Sequence, residues 1–170
     1  MDSTEEIKAI IIVGAYAPAS KFIKLAKEDF PNAYFLNVSF VGSDALKEDL
    51  KNSTKNVIVT QVVPPLDSVL PIVKEYLKDL KKFHPLKEPN FVSLEGYLVG
   101  KLFASAVNKI KKENITRADI HKAIENMENI DIGLGFNSGF STLKHQYSNK
   151  IWPTIIKNGK YKLIKWNELK

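Results

Sequence analysis

The sequence predicts an α/β fold built on a parallel sheet, and three observations carry that expectation. Short apolar runs rich in β-branched residues recur early in the chain, as "KAIIIVG", "AYFLNVSF" and "NVIVTQVV". Amphipathic stretches of helical period separate them, as β-α-β units with right-handed crossovers require. The tail alternates in character and contains Asn158-Gly159, the strongest short signal for a tight hairpin.

Taken in order, "KAIIIVG" reads as a strand covered on both faces. "APASKFIKLAKEDF" then puts Phe22, Ala26 and Phe30 on one face, with Leu25 beside them and lysines opposite, so a helix starts near Pro18. "NAYFLNVSF" is the second strand. "GSDALKEDLKN" is a short helix with Ser43 or Asp44 able to cap it. "NVIVTQVV" is the third strand. At Pro64-Pro65 the pattern changes to a helical one. Leu66, Val69, Leu70, Val73, Leu77 and Leu80 share a face, with Pro71 expected in the first turn. "HPLKEPN" is a loop and "FVSLEGYLVGKLFASAVNKIKK" is the most apolar helix. "ITRADIHKAIENME" is another helix, with Thr116 as cap and Asp119 at the capping-box position. Beyond Asn129, "GLGFNSG" reads as a flexible crossing and the remainder as two or three antiparallel strands.

The 170 residues suffice for an ordinary core, and the 44% hydrophobic and 26% charged content is globular. The net charge of +6 comes from lysines spread along helical faces, with Arg117 the single arginine. Nucleic-acid binders cluster their cations among aromatics, so no nucleic-acid partner is expected. The absence of cysteine excludes disulfides, thiolate metal sites and cysteine nucleophiles. No apolar run approaches the length of a membrane span, and "MDSTEE" is not a secretory signal.

Catalytic signals are thin. Gly14 stands alone, so no phosphate loop is present, and the glycines of "GLGFNSG" follow a helix rather than a strand. Gly96 and Gly100 have small-xxx-small spacing; among so many charges it reads as close packing on a sheet. His84, His121 and His145 have no partner ligand at helical spacing, so neither a metal nor a cofactor is expected. Ser39 lies outside any Gly-x-Ser-x-Gly elbow. What remains is position. In open parallel sheets ligands bind at the carboxyl ends of the strands. Three segments end there: Ala15-Tyr16-Ala17, Asn37-Val38-Ser39-Phe40 and Thr60-Gln61. They offer a phenol, hydroxyls, amides and aromatic faces, a set suited to holding a small polar molecule and poorly equipped to transform one. A flavodoxin-like regulator or enzyme is the competing class, yet these ends supply neither a phosphate loop nor an acidic phosphoacceptor.

The motifs "VGAYAPASKFIKLAK", "FLNVSFVGSDAL", "VIVTQVVP", "SLEGYLVGKLFASAV", "ITRADIHKAIENM" and "FSTLKHQYSNKIWPTIIKNGKYKLI", in that order, carry a further resemblance. The chain resembles the C-terminal half of the type I periplasmic solute-binding proteins, nearest to the leucine/isoleucine/valine-binding receptors of ABC transporters. The resemblance implies a partial two-lobe fold: 1–63 as a second-lobe β-α-β-α-β portion, 64–130 as a helical first-lobe portion, and 131–170 as return strands. It implies a non-enzymatic binder that closes by a hinge on a small amphipathic ligand, such as a branched-chain amino acid, amide or related acid. The partner would be a membrane permease or a sensor's signalling domain, and the full-length protein would be periplasmic or extracellular. Tyr16 matches the family tyrosine that faces the cleft, with Ala15 and Phe40 beside it. Ser39 falls where the amino-acid receptors place an acidic partner for the ligand's ammonium, and "NVSF" has no carboxylate. Glu95, with Val92 and Tyr97, begins a helix bordering the cleft. The resemblance also implies that the other part of the family fold is missing, which would expose helix faces between 66 and 127 and favour a homodimer.

Overall fold

The computed structural model describes residues 6–169. By internal packing the chain divides into two units, one from Met1–Pro65 and Ile151–Lys170, the other from Leu66–Lys150.

The first unit is a five-stranded sheet in the order β1 (Ala9–Ile12), β2 (Tyr34–Val38), β3 (Val57–Gln61), β4 (Trp152–Lys157), β5 (Lys160–Leu163). The first three strands run parallel and the last two are antiparallel. Helices α1 (Tyr16–Asp29) and α2 (Ser43–Leu50) make the crossovers. They bury one face of the sheet through Ala19, Ile23, Ala26, Leu46 and Leu50 against Phe35, Val57, Val59 and Ile156. Each such large side chain contributes about 1.5–3 kcal/mol on leaving water. The buried stripe of α1 is therefore 19, 23 and 26; Phe22 and Leu25 lie largely in solvent, because they stand about 100° around the helix from it. Asn158 and Gly159 both have positive φ, which gives the β4–β5 hairpin a turn whose twist matches its strands.

Two local expectations are corrected. Strand β1 is not covered on both faces. Among the described residues it pairs with β2 alone, and Ile11 and Val13 are 73% and 71% exposed while Ile10 and Ile12 pack inward. Among the described residues, the opposite face carries a smaller cluster of Ile58, Ile155 and Ile164, with Tyr34, Leu36 and Leu169 packed against it. Helix α2 is capped by neither Ser43 nor Asp44. Its N-cap is Gly42 at φ +84°, and the Ser43 hydroxyl instead accepts from Gln61 Nε2 at 2.9 Å.

The second unit contains α3 (Pro71–Phe83), α4 (Phe91–Val107) and α5 (Arg117–Glu125), and no strand among its described residues. Pro71 is the first residue of α3 and holds Leu70 extended, so the apolar pattern from Leu66 to Leu70 precedes the helix. Asn90 caps α4 by accepting from Ser93 N–H at 2.8 Å. Thr116 and Asp119 form the reciprocal capping box of α5, and Lys112 and Thr116 hold the Asp119 carboxyl well below the usual range. Strand β4 begins only at Trp152, and residues 131–150, expected among the returning strands, pack with this helical unit. The reason is local. Asp131 Oδ1 accepts from the N–H groups of Gly133, Leu134 and Gly135, which makes "GLG" an ordered turn rather than a flexible crossing. Gly133, at φ +96°, then seats its backbone against Ile72.

Candidate functional site

Because β1 and β2 run parallel, their carboxyl ends share one edge of the sheet. The chain leaves β1 through Gly14 and Ala15 and enters α1 at Tyr16. Ala15 is the N-cap and offers no side-chain acceptor, and the first turn holds no acidic residue. Tyr16 and Ala17 carry the leading N–H groups of α1, Pro18 having none, and no cap or acidic side chain of the first turn closes them to an electronegative group, with the helix dipole in support. Tyr16 is 44% exposed, and its ring lies beside Gly42; a Cβ added to that glycine would stand 3.9 Å from the ring. Glycine is required here by the left-handed turn, since a Cβ would meet the ring only at ordinary contact distance. Strand β2 ends in a single 3₁₀ turn, Ser39–Val41. Val41 anchors the turn in the core, Ser39 is half-buried, and Phe40 is 65% exposed. The sequence-selected residues Ala15, Tyr16, Ser39 and Phe40 therefore lie along one edge.

Most other polar groups near the strand ends are already engaged. Asn37 is buried and its Nδ2 donates to the carbonyls of Phe35 and Ile58, while its Oδ1 is buried without a hydrogen-bond partner. Thr60 donates to the Asn37 carbonyl at 3.3 Å, and buried Gln61 is held by Ser43. The Tyr161 hydroxyl donates to the Ser43 carbonyl, and burial keeps it protonated far above the ordinary phenol range. Asp44 is balanced by Lys47 at 3.6 Å. What faces outward is a phenol, a serine, an exposed phenylalanine and a helix N-terminus. Among the described residues no group of three or more His, Cys, Asp or Glu could hold a metal ion, and no helix is long and apolar enough to cross a membrane.

Sequence reasoning missed the open N-terminus of α1. The signal was present, since no Ser, Thr, Asp or Asn stands before Tyr16 to close it.

Glu95, Val92 and Tyr97 belong to the other unit, on α4. Glu95 and Val92 are exposed there. Tyr97 is tied to its own neighbours. Its hydroxyl donates to Asp79 at 2.6 Å and Glu75 at 3.2 Å, and Lys101 pairs with Glu75. Burial and then the Asp79 hydrogen bond push its pKa far up, so it is a clamp between α3 and α4. A cavity of about 450 Å³ beside it is lined by Tyr76, Asp79, Phe83, His84 and Tyr97.

The chain matches a family model described as periplasmic binding protein over residues 4–160. No curated protein matches it. Among solved structures it is similar to a possible leucine/isoleucine/valine-binding protein from Rhodopirellula baltica SH 1. The two share 42% identity over 95% of this chain and 44% of that one, with a TM-score of 0.89. A branched-chain amino acid ABC transporter structure from Thermus thermophilus with bound valine shares 14% identity over 93% of this chain and 45% of that one, at TM-score 0.70. A fatty acid ABC transporter substrate-binding protein from Thermomonospora curvata shares 18% identity over 92% and 42%, at TM-score 0.75. The chain therefore spans less than half the length of each.

Proposed function

The chain belongs to the periplasmic binding protein family, and from that premise we propose that it supplies one wall of a solute-binding site for ABC-type uptake. The observation that supports this most is the edge formed by Ala15, Tyr16, Ser39 and Phe40, which is exposed and lacks a reactive acid, base or nucleophile pair. The solute is small and amphipathic. Its electronegative end meets the Tyr16 hydroxyl and the open N-terminus of α1, and its apolar part lies on the rings of Tyr16 and Phe40. The wall has no carboxylate at Ser39, so an ammonium group finds no ionic partner there. Aliphatic carboxylic acids and amides fit this wall at least as well as free amino acids. Structures of similar fold are described with different cargo: the Thermus thermophilus structure has bound valine, and the Thermomonospora curvata protein is described as a fatty acid ABC transporter substrate-binding protein. The wall works by binding alone, and a membrane permease receives the solute. The family setting makes the working compartment extracytoplasmic.

A ligand screen tests this. Branched-chain amino acids, their amides and the corresponding carboxylic acids are titrated into the chain and followed by thermal shift and ligand-detected NMR. Reproducible, saturable binding of at least one compound is expected. No binding by any class up to the low millimolar range contradicts the proposal.

A further inference from the structure

The helical unit holds a cavity for which the solute wall has no use. It lies between α3 and α4, measures about 450 Å³ and is lined by Tyr76, Asp79, Leu80, Phe83, Ser93 and Tyr97, with exposed His84 alongside. Its chemistry follows from how the two helices are joined. Tyr76 is 2% exposed; its hydroxyl shares a hydrogen bond with Ser93 Oγ at 2.6 Å and accepts from Asn90 N–H at 3.2 Å. The Tyr97 hydroxyl donates to Asp79 Oδ2 at 2.6 Å, and the two phenol rings meet edge to face at 5.6 Å. Both phenols thus have their polar ends engaged, and their ring carbons are what the cavity can offer. Phe83 adds a third ring, 63% exposed, which already attracts one cation: Lys82 Nζ stands 4.8 Å from its centroid. The carboxylates are unequally served. Glu75 is paired with Lys101, whereas half-buried Asp79 has no cation at ion-pair distance among the described residues. Tyr97 is its hydrogen-bond donor there and reaches Oδ2, which leaves Oδ1 an open acceptor.

We propose that this cavity is a binding site for a small aromatic amine, separate from the strand-end wall. The ammonium meets the open oxygen of Asp79, and the aromatic body lies on Tyr76, Leu80 and Phe83. A half-buried carboxylate without a counter-ion favours a cation, and a charge-assisted hydrogen bond is about twice as strong as a neutral one. The ring faces carry negative potential and select the same sign of ligand. An acid of the same shape is disfavoured, because its carboxylate would stand against Asp79. An apolar hollow of this size with a few convergent polar groups has the ordinary make-up of a small-molecule site. The strand-end wall has the opposite preference, since it offers a helix N-terminus and no carboxylate at Ser39. The two sites therefore take end groups of opposite charge, and this inference does not rest on the solute-binding reading.

The test titrates the isotopically labelled chain with phenylethylamine, phenylethanol and phenylacetate, probes that share a ring and differ in the charge of the end group. Amide shifts at 76–84 and 93–97 report the cavity. Saturable binding of the amine is expected there, about tenfold or more tighter than the alcohol, with phenylacetate weaker than both. Asp79→Asn keeps the shape of the side chain and an acceptor for Tyr97 while removing the charge. It lowers the amine's affinity by about tenfold or more and leaves that of the alcohol unchanged. Phe83→Ala trims an exposed ring and weakens amine and alcohol alike, by about threefold or more. Circular dichroism and urea midpoints check that each variant is folded. Should Asp79→Asn fail that check, the amine-to-alcohol ratio in the unaltered chain decides. No saturable amine shifts at these residues up to the low millimolar range, equal affinity for amine and alcohol, or amine binding untouched by Asp79→Asn each overturns the proposal. Amine shifts confined to 15–17 and 39–43 also overturn it, while leaving the strand-end wall in place.

Discussion

Gly139→Ala is expected to destabilise the helical unit by about 3 kcal/mol or more, at the upper end of overpacking effects. A Cβ at this buried position would stand 2.0 Å from the Met127 carbonyl oxygen, 2.8 Å from Glu128 Cα and 3.0 Å from the Met127 carbonyl carbon. All three atoms are backbone, so no side chain can swing aside. Nor is that backbone free to retreat. The Met127 carbonyl accepts from Phe140 N–H at 2.8 Å, and Ile130 and Ser138 exchange two hydrogen bonds just beyond it. Urea unfolding followed by far-ultraviolet circular dichroism measures the loss. Gly96→Ala and Gly100→Ala are the matched controls. Both sit in α4 with open space around the new methyl, so each should be neutral or stabilise by up to about 1 kcal/mol through helix propensity. An unchanged midpoint for Gly139→Ala would mean that the 127–140 contact is not formed as described.

Tyr16→Ala is expected to weaken the best solute by about tenfold or more, the scale of losing a central aromatic contact with its hydrogen bond. Stability should hardly move, because the side chain is 44% exposed and packs beside Gly42 rather than in the core. Tyr16→Phe separates the two contributions. It keeps the ring beside Gly42 and removes the hydroxyl, so its affinity should fall between wild type and Tyr16→Ala. Isothermal titration or a ligand-detected NMR competition measures all three. Equal affinity for the three proteins would remove Tyr16 from the site.

The fold was legible in the sequence wherever local chemistry and burial point the same way. Three β-branched runs, Pro71 at the start of α3, the Thr116–Asp119 box and Asn158-Gly159 all act within a few residues of themselves. They are legible in the sequence for that reason. Errors arose where a neighbour outside the local window decides. The composition of "AIII" is that of a central strand, and only the pairing shows β1 to be an edge. Ser43 reads as a cap, but Gln61, eighteen positions on, claims its hydroxyl. "GLGFNSG" reads as loose, whereas one carboxylate oxygen of Asp131 gathers three of its N–H groups. The same division applies to the candidate site. Ala15, Tyr16, Ser39 and Phe40 could be selected because carboxyl ends of parallel strands share an edge, a rule that needs only strand order. That Thr60, Gln61 and the Nδ2 of Asn37 are spent on the scaffold depends on side-chain partners that no spacing rule reveals.

The most direct measurement is a residue-by-residue NMR titration of the isotopically labelled chain with the solute that binds best. Amide shifts concentrated at 15–17 and 39–43 are the expected result, since these segments form the strand ends where Gly42 lies beside the Tyr16 ring and α1 begins. Shifts centred instead on Tyr76, Asp79 and Phe83 would place the solute in the cavity between α3 and α4. That outcome would contradict the assignment of the strand-end wall as the binding surface.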